Sequence, residues 1–174
     1  MRPTSFVQRL AAARIGATFN QYADPRLCAR LVAYLESRRQ APVLLVGEAA
    51  GYRGARVSGI PFTSERQLTG AGPAEATATI VHRVLEELGV AERVLLWNVV
   101  PTHPHVVGEP RSNRPPTRPE VDAGLTFVGE LARGRRAIAV GRLAEAALGG
   151  PAVRHPSHGG AERFRSGLAS LLHD

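Results

Sequence analysis

Four short apolar runs, separated by longer stretches with helical patterning, constrain the fold of this chain more than any other feature. The runs are PVLLVG (42–47), RVLLWNVV (93–100), RAIAVG (136–141) and PAVRH (151–155). A continuous aliphatic and β-branched run, without polar alternation, is typical of a parallel strand that is covered on both faces. Strands that alternate with helices form right-handed crossovers. The pattern predicts an α/β fold: a three-layer α/β/α sandwich around a central four-stranded, mainly parallel sheet.

The segments between the apolar runs carry helix start and stop signals. DPRLCARLVAYLESRR offers Asp24 as an N-cap and Pro25 as the first helical residue, and TRPEVDAGLTFVGELAR offers Thr117 as a cap. GPAEATATIVHRVLEELG starts after a proline and stops at Gly89, and GRLAEAALGG and GGAERFRSGLASLLHD complete the set. The remainder, 101–120, reads as a long proline-rich loop, and a loop of this length in a small domain is usually functional or mobile.

Composition limits the class of protein and the partners to consider. With 174 residues the chain is long enough for one compact domain, predicted to span 1–174, and we expect a monomer. The net charge is +7, and its positive charges come from arginine, since the chain has no lysine. This charge favours a polyanionic partner, because neutralised phosphates release counterions. No apolar run is long enough for a membrane span and the N-terminus lacks a secretory core, so no membrane partner and a cytoplasmic location are expected.

Polar residues follow several of the predicted strands, at the point where each strand ends. Glu48 follows the first strand, Asn98 lies near the end of the second, and His155, Ser157 and His158 follow the last. Ligands of open parallel sheets bind just beyond the carboxyl ends of the strands. These residues are therefore expected to converge on one site. Strand alternation turns the neighbouring Trp97 to the opposite face, into a helix layer.

Three motifs in this order resemble those of the uracil-DNA glycosylase superfamily, closest to its bacterial family-4-like branch. GEAAGYRGARVSGIPF is similar to the first motif, NVVPTHPH…NRPPTRPE to the second region, and HPSHGG to the late His-Pro-Ser motif. Together they cover most of the chain from Val43 to about Arg165. Two departures stand out. Ala50 replaces a usual proline, and the single cysteine, Cys28, excludes the iron–sulfur cluster of that branch.

The resemblance implies a base-excision repair glycosylase that hydrolyses the N-glycosidic bond of uracil flipped out of DNA, and releases free uracil. Glu48 would stabilise the sugar cation and position a water, His155 would stabilise the departing uracil anion, and Asn98 would pair with N3–H and O4 of the base. Phe62 would stack on the base, and Gly47 and Ala49, which flank Glu48, would complete the uracil contacts.

A further set of residues is expected to contact DNA through hydroxyl, main-chain amide, guanidinium or ring groups. These residues are Tyr52, Arg53, Arg111, Arg114, Ser157, His158, Gly159, Gly160 and Arg163. Because the chain contains no lysine for imine chemistry, a monofunctional enzyme that leaves an abasic site is expected. No cofactor and no metal are expected. Zinc on His103, His105 and His155 would lack the usual thiolate or carboxylate companions.

Other interpretations remain open at this stage. The site residues have structural alternatives: a turn cap for Glu48, a strand-end turn for Asn98, a loop hydrogen bond for His155 and a core position for Phe62. A glycosylase of the same fold with another preference (hypoxanthine, xanthine or mismatched thymine), one that forms a covalent intermediate, or a DNA-binding relative without catalysis would share these motifs. An esterase using Ser157 is disfavoured because HPSHGG lacks a nucleophile elbow.

Overall fold

The central sheet has four parallel strands, as predicted. A computed structural model of the chain describes residues 1–173. In the described chain the strands are β1 (Val43–Ala49), β2 (Val94–Val100), β3 (Arg136–Val140) and β4 (Ala152–Val153). Their spatial order is β2-β1-β3-β4, and every neighbouring pair is parallel. The predicted four-stranded parallel sheet is therefore confirmed, with β4 shorter than its apolar run suggests.

The strand order places a crevice at the carboxyl edge of the sheet. From β1 the chain moves to one side to form β2, and then crosses back over β1 to form β3 and β4 on the other side. Such a reversal opens a gap beyond the carboxyl ends of the central strands, where ligands of open α/β sheets bind. The topology thus directs a site to the carboxyl ends of the central strands β1 and β3.

Eight helices and two short 3₁₀ turns complete the described chain. The helices are α1 (Pro3–Ala12), α2 (Pro25–Ser37), α3 (Ala55–Ser58), α4 (Glu65–Thr69), α5 (Ala76–Glu87), α6 (Arg118–Ala132), α7 (Arg142–Leu148) and α8 (Ala161–His173). The 3₁₀ turns span Gln21–Ala23 and Ala91–Arg93. Helices α1, α2, α6 and α7 contribute to the core on one face of the sheet, and α5 and α8 to the core on the other. The three-layer α/β/α sandwich is confirmed.

Both cores are built from the apolar runs, because alternate residues of each strand enter opposite layers. The first core includes Phe6, Leu31, Val46, Trp97 and Leu131. The second includes Leu45, Val81, Leu96, Phe164 and Leu168. Trp97 is fully buried and packs edge-on against Phe6 of α1, with ring centroids 5.6 Å apart. Its predicted position in a helix layer, away from the site, is confirmed.

Two predicted helix caps are present. The Asp24 side chain accepts a hydrogen bond from the Arg26 amide at 2.8 Å, with Pro25 as the first helical residue. Thr117 begins α6 with a capping box to Glu120, so the proline-rich loop ends at residue 117 and not at 120. Helix α5 begins at Ala76, three residues beyond the proline that precedes it. Helix α1 was not among the predicted elements.

Candidate active site

A cavity of about 400 Å³ opens at the carboxyl edge of the sheet. This volume lies in the range usual for small-molecule sites. Seven of the predicted site residues line it: Glu48, Ala49, Phe62, Asn98, Arg114, His155 and His158. Residues from the ends of β1 and β2 and from the loop after β4 therefore meet at one place.

Asn98 and Phe62 meet over Gly47 in the floor of the cavity. Gly47 of β1 is the register partner of Asn98 on β2. A Cβ built on Gly47 would overlap the Phe62 ring and lie 3.0 Å from Asn98 Oδ1. Gly47 itself is buried and does not line the cavity. Its contribution is the absence of a side chain, which lets the aromatic ring and the amide approach each other.

Phe62 has the left-handed backbone conformation, with φ of +52°, which is rare for a residue with a side chain. The loop around it fixes this conformation. Ser58 Oγ donates to the Thr63 carbonyl at 2.7 Å, and Thr63 Oγ1 lies 3.0 Å from His82 Nε2. Phe62 is almost fully buried and packs in the second core while it also lines the cavity. The core position and the site position proposed for this residue are thus one and the same.

The Glu48 side chain faces the cavity from the end of β1. Its carboxylate makes no hydrogen bond or ion pair with any residue in 1–173. Although the side chain remains accessible, partial desolvation raises the pKa of Glu48 above its usual value. The turn-cap alternative would require hydrogen bonds from the following amides, and the carboxylate has none.

His155 is oriented by its own loop. The Ser157 amide donates to His155 Nδ1 at 3.2 Å, and Ser157 Oγ lies 2.7 Å from the same nitrogen. Because Nδ1 accepts, the hydrogen of the neutral ring resides on Nε2. Burial lowers the pKa of His155, which favours this neutral form. Gly141, with φ of +85°, provides room for the ring: a Cβ there would lie 3.2 Å from His155 Cβ.

His158 extends this arrangement by one residue. Its Nδ1 lies 3.0 Å from Ser157 Oγ, and its backbone has a left-handed φ of +51°. All three groups are satisfied when His158 Nδ1–H donates to Ser157 Oγ and the hydroxyl donates to His155 Nδ1. The HPSH segment is therefore a short hydrogen-bonded chain that ends at the cavity.

A second carboxyl group, Glu75, lines the same cavity. It precedes α5, in a glycine- and proline-rich segment without a recognisable motif, and no sequence signal marked it. Thr77, Pro104 and Asn113 also line the cavity and were not singled out by the sequence. Burial raises the pKa of Glu75. The cavity thus holds two carboxyl groups, where the sequence predicted one.

The proline-rich loop is attached to the first motif and to α6. Asn113 Oδ1 accepts the Tyr52 amide at 3.1 Å. Arg114 pairs with Glu120 through two hydrogen bonds, of 2.8 and 2.7 Å, and donates to the His105 carbonyl at 3.0 Å. Arg114 was expected to contact DNA. In the structure its guanidinium holds the loop beside the cavity, and its contact with DNA stays a prediction.

Apart from Arg114 and His158, the residues predicted to contact DNA do not line the cavity. Arg53, Arg111 and Arg163 are exposed, and the Arg53 guanidinium lies 5.2 Å from the centre of the Tyr52 ring. Gly159 is exposed with φ of +73°, whereas Gly160 is buried, and a Cβ there would overlap the His155 carbonyl oxygen. Contact of these residues with DNA stays a prediction.

Within residues 1–173, no group of three or more His, Cys, Asp or Glu side chains is placed to hold a metal ion. His103, one of the three histidines considered for zinc, is fully buried and directs Nδ1 at the Ala50 carbonyl, 2.8 Å away. It stacks on His105 with ring centroids 5.7 Å apart. His103 therefore fixes the turn after Glu48. No helix of the described chain has the length and apolarity needed to cross a membrane.

Comparisons with known proteins concern the fold and the family of the chain. The crystal structure of wild-type SMUG2 from Pedobacter heparinus superposes with a TM-score of 0.69 at 14% identity, covering 99% of this chain and 97% of that one. This similarity shows a shared fold. No curated protein matches the sequence. A family model described as the uracil DNA glycosylase superfamily matches residues 35–170, which contain every residue of the cavity described above. The chain therefore belongs to the uracil DNA glycosylase superfamily.

Proposed function

We propose that the protein is a monofunctional uracil-DNA glycosylase of base-excision repair, which hydrolyses the N-glycosidic bond of a flipped uracil. The observation that carries the proposal is the convergence of Glu48, Phe62, Asn98 and His155 on one cavity. These residues come from three distant parts of the sequence and supply the chemical groups that the reaction needs. The substrate is uracil-containing DNA, and the products are free uracil and an abasic site.

Glu48 acts on the sugar side of the bond. Cleavage builds positive charge on the deoxyribose, and a carboxylate stabilises that charge as acidic residues do in glycoside hydrolysis. The same carboxylate accepts a proton from the attacking water. Both roles require an ionised group without a competing protein partner, and Glu48 has none within the described chain.

His155 acts on the departing base. Negative charge develops on the carbonyl oxygen O2 of uracil as the bond breaks, and a donor fixed at that position is a large catalytic contribution. With Nδ1 occupied by Ser157, the Nε2–H of the neutral ring is the available donor. A neutral imidazole is sufficient for this role, because its Nε2–H donates a hydrogen bond to O2 without a prior change in the protonation of the ring.

Asn98 and Phe62 select the base. The Asn98 amide has an acceptor for N3–H of uracil and a donor for O4, whereas cytosine presents the opposite polarity at both atoms. Each mismatched buried group costs about 1–3 kcal/mol. The Phe62 ring, which lies with the Asn98 amide beside Gly47, provides a surface on which the flipped base stacks.

Base release without strand scission is expected because the chain contains 22 arginines and no lysine. Imine formation with the abasic sugar, the usual route to strand cleavage, needs an amine that these side chains lack. Strand cleavage by the purified protein, beyond that caused by alkali treatment, would contradict this part of the proposal.

The test is single-turnover release of uracil from single-stranded, U·G and U·A oligonucleotides. Glu48→Ala, Asn98→Ala and His155→Ala should each lower the rate at least a hundredfold while DNA affinity changes less than about fivefold. Glu86→Ala, an exposed carboxylate of α5 outside the cavity, is the matched control and should retain full activity. Tight DNA binding by the wild-type protein without release of any base would refute the proposal in favour of a non-catalytic relative.

A further inference from the structure

Glu75 has a position that its place in the chain does not explain. It occupies the N-cap position of α5, with φ of −123° and ψ of 124°, but its side chain does not cap that helix. Side-chain oxygens at an N-cap usually accept amides of the first turn. The Glu75 carboxyl group instead turns away from its own helix toward the cavity and the glycine-rich turn after β1.

The carboxyl group of Glu75 fills the space above Gly51 and Gly54. Cβ atoms built on these glycines would overlap its oxygens, and its carboxyl carbon lies 3.5 Å from the first built position and 2.8 Å from the second. Two residues without side chains therefore admit one long side chain from the opposite segment. Gly51 and Glu75 both line the cavity, so this contact forms part of its wall.

The Glu75 carboxyl group is held in place by packing and not by a polar partner. Within residues 1–173 the Glu75 carboxyl makes no hydrogen bond and no ion pair. Burial alone raises its pKa, and no charged neighbour contributes. A polar group that lines the cavity and has no protein partner is available for contact with a molecule bound there.

Tyr52, which the sequence predicts as a DNA contact, does not line the cavity. Its amide donates to Asn113, and its ring faces Arg53 at 5.2 Å. The wall beside the glycine turn is formed by Glu75. In the proposed reaction O2 of uracil faces His155 and the N3–O4 edge faces Asn98. The C5–C6 edge is the one left for this wall.

We propose that Glu75 is a specificity-determining residue, whose carboxyl group limits the size of the base that the cavity admits beside Gly51. The inference rests on the proposed function, since it assumes that the flipped base occupies this cavity. Uracil fits against the wall, whereas the 5-methyl group of thymine and the second ring of hypoxanthine meet the carboxyl group. The effect comes from volume, so glutamine should reproduce it.

The experiment compares the release of uracil, thymine and hypoxanthine by wild-type protein, Glu75→Gln, Glu75→Ala and the control Glu86→Ala. A pocket that gains or loses about one methylene changes discrimination by about 10–200-fold. Glu75→Ala should therefore raise the thymine-to-uracil and hypoxanthine-to-uracil rate ratios at least tenfold. Glu75→Gln and Glu86→Ala should stay within about threefold of the wild-type ratios. Unchanged ratios in a folded Glu75→Ala variant would overturn the proposal.

A second variant tests the contact itself. Gly51→Ala places a methyl group against the carboxyl of Glu75 and should lower uracil release at least tenfold. Addition of Glu75→Ala should restore most of that loss, and failure to restore it contradicts the contact. Should Glu75→Ala not fold, Glu75→Asp, one methylene shorter, has the same expected direction with a smaller change.

A binding assay separates this proposal from the proposed function. If the wild-type protein releases no base, the glycosylase assignment fails. The role of Glu75 in base selection is then tested by NMR, with titration of isotope-labelled protein by free uracil and by free thymine. Glu75→Ala should then bind thymine more tightly relative to uracil than the wild type does. Equal affinity ratios, or no binding of either base, would overturn the proposal.

Discussion

Replacing Glu120 with glutamine should destabilise the protein by about 3 kcal/mol at neutral pH and loosen the proline-rich loop beside the cavity. Glu120 is almost fully buried at the start of α6. Its carboxylate accepts two hydrogen bonds from Arg114, one from the Thr117 amide at 2.8 Å and one from the Ala17 amide at 3.2 Å. Glutamine keeps the shape, but it removes the charge and one acceptor.

The magnitude follows from the pKa of the carboxyl group. Arg114, followed by the Thr117 amide, lowers the pKa of Glu120 from 4.5 to about 2. At about 1.4 kcal/mol per pKa unit this difference corresponds to about 3 kcal/mol of folding free energy. Removal of one partner from a buried ion pair typically costs about 3–5 kcal/mol, which agrees with this value. For a domain of this size the expected fall in Tm is roughly 6–12 °C.

The contribution of the Glu120 carboxylate to stability should depend on pH. Because the pKa is lower in the folded state, the contribution is complete above pH 4.5 and is lost as the pH falls toward 2. The contribution of Glu120 is measured by urea denaturation of the wild-type protein and of Glu120→Gln. The measurement is made at pH 7 and at steps down to the lowest pH at which the wild type stays folded. The difference in unfolding free energy should shrink below pH 4.5.

Asp122→Asn, on the same helix, is the matched control. Asp122 pairs with Arg118 at 2.9 Å, but the two side chains are 53% and 85% exposed. Exposed pairs contribute about 0–1 kcal/mol, so this variant should remain close to wild type. A loss below about 1 kcal/mol in Glu120→Gln, or a difference that does not change between pH 7 and pH 4, would refute the reasoning.

Three further predictions concern catalysis and packing. Single-turnover uracil release should fall as the pH drops through the raised pKa of Glu48, with a midpoint above that of an ordinary glutamate. His155→Asn should lower the maximal rate without moving this midpoint. A midpoint at or below pH 4.5 contradicts the role of Glu48. Gly47→Ala should lower uracil release at least tenfold in a folded protein, because its methyl group displaces the Phe62 ring; unchanged release would contradict the packing. In thermal denaturation Gly124→Ala should be less stable than wild type, because its Cβ would overlap the Val99 carbonyl. Gly129 is exposed on the same helix with open space around it, so Gly129→Ala should be more stable by about 0.5–1 kcal/mol. The reverse order of stability would argue against this packing.

Much of the fold could be predicted because each strand is encoded by its own apolar run. Strand order was not predicted, since it depends on which face each crossover helix covers. Helix α1 was missed because the N-terminal segment was considered only as a candidate signal sequence. The TRPE sequence at Thr117 contains the capping box that fixes the start of α6, and Glu120 lies in the helical segment predicted to follow that cap.

The candidate site was predicted where residues follow a strand and missed where they depend on packing between distant segments. Glu48, Asn98 and His155 lie at strand ends, so their convergence follows from a parallel sheet. Glu75 reaches the cavity only because α5 begins opposite Gly51, and no local pattern encodes that placement. The ion pair of Arg114 with Glu120 was missed because an arginine in a loop carries no sign of a buried partner six residues later.

Trp97 is the single tryptophan of the chain, and its place beneath the sheet has a practical consequence. It is fully buried against Phe6, one peptide bond from Asn98 but on the opposite face. Its fluorescence should therefore be blue-shifted in the native protein and red-shifted once α1 separates from β2. Because the indole is screened from the cavity, the same signal should stay nearly constant when a base binds, which makes it a reporter of folding that ligands do not disturb.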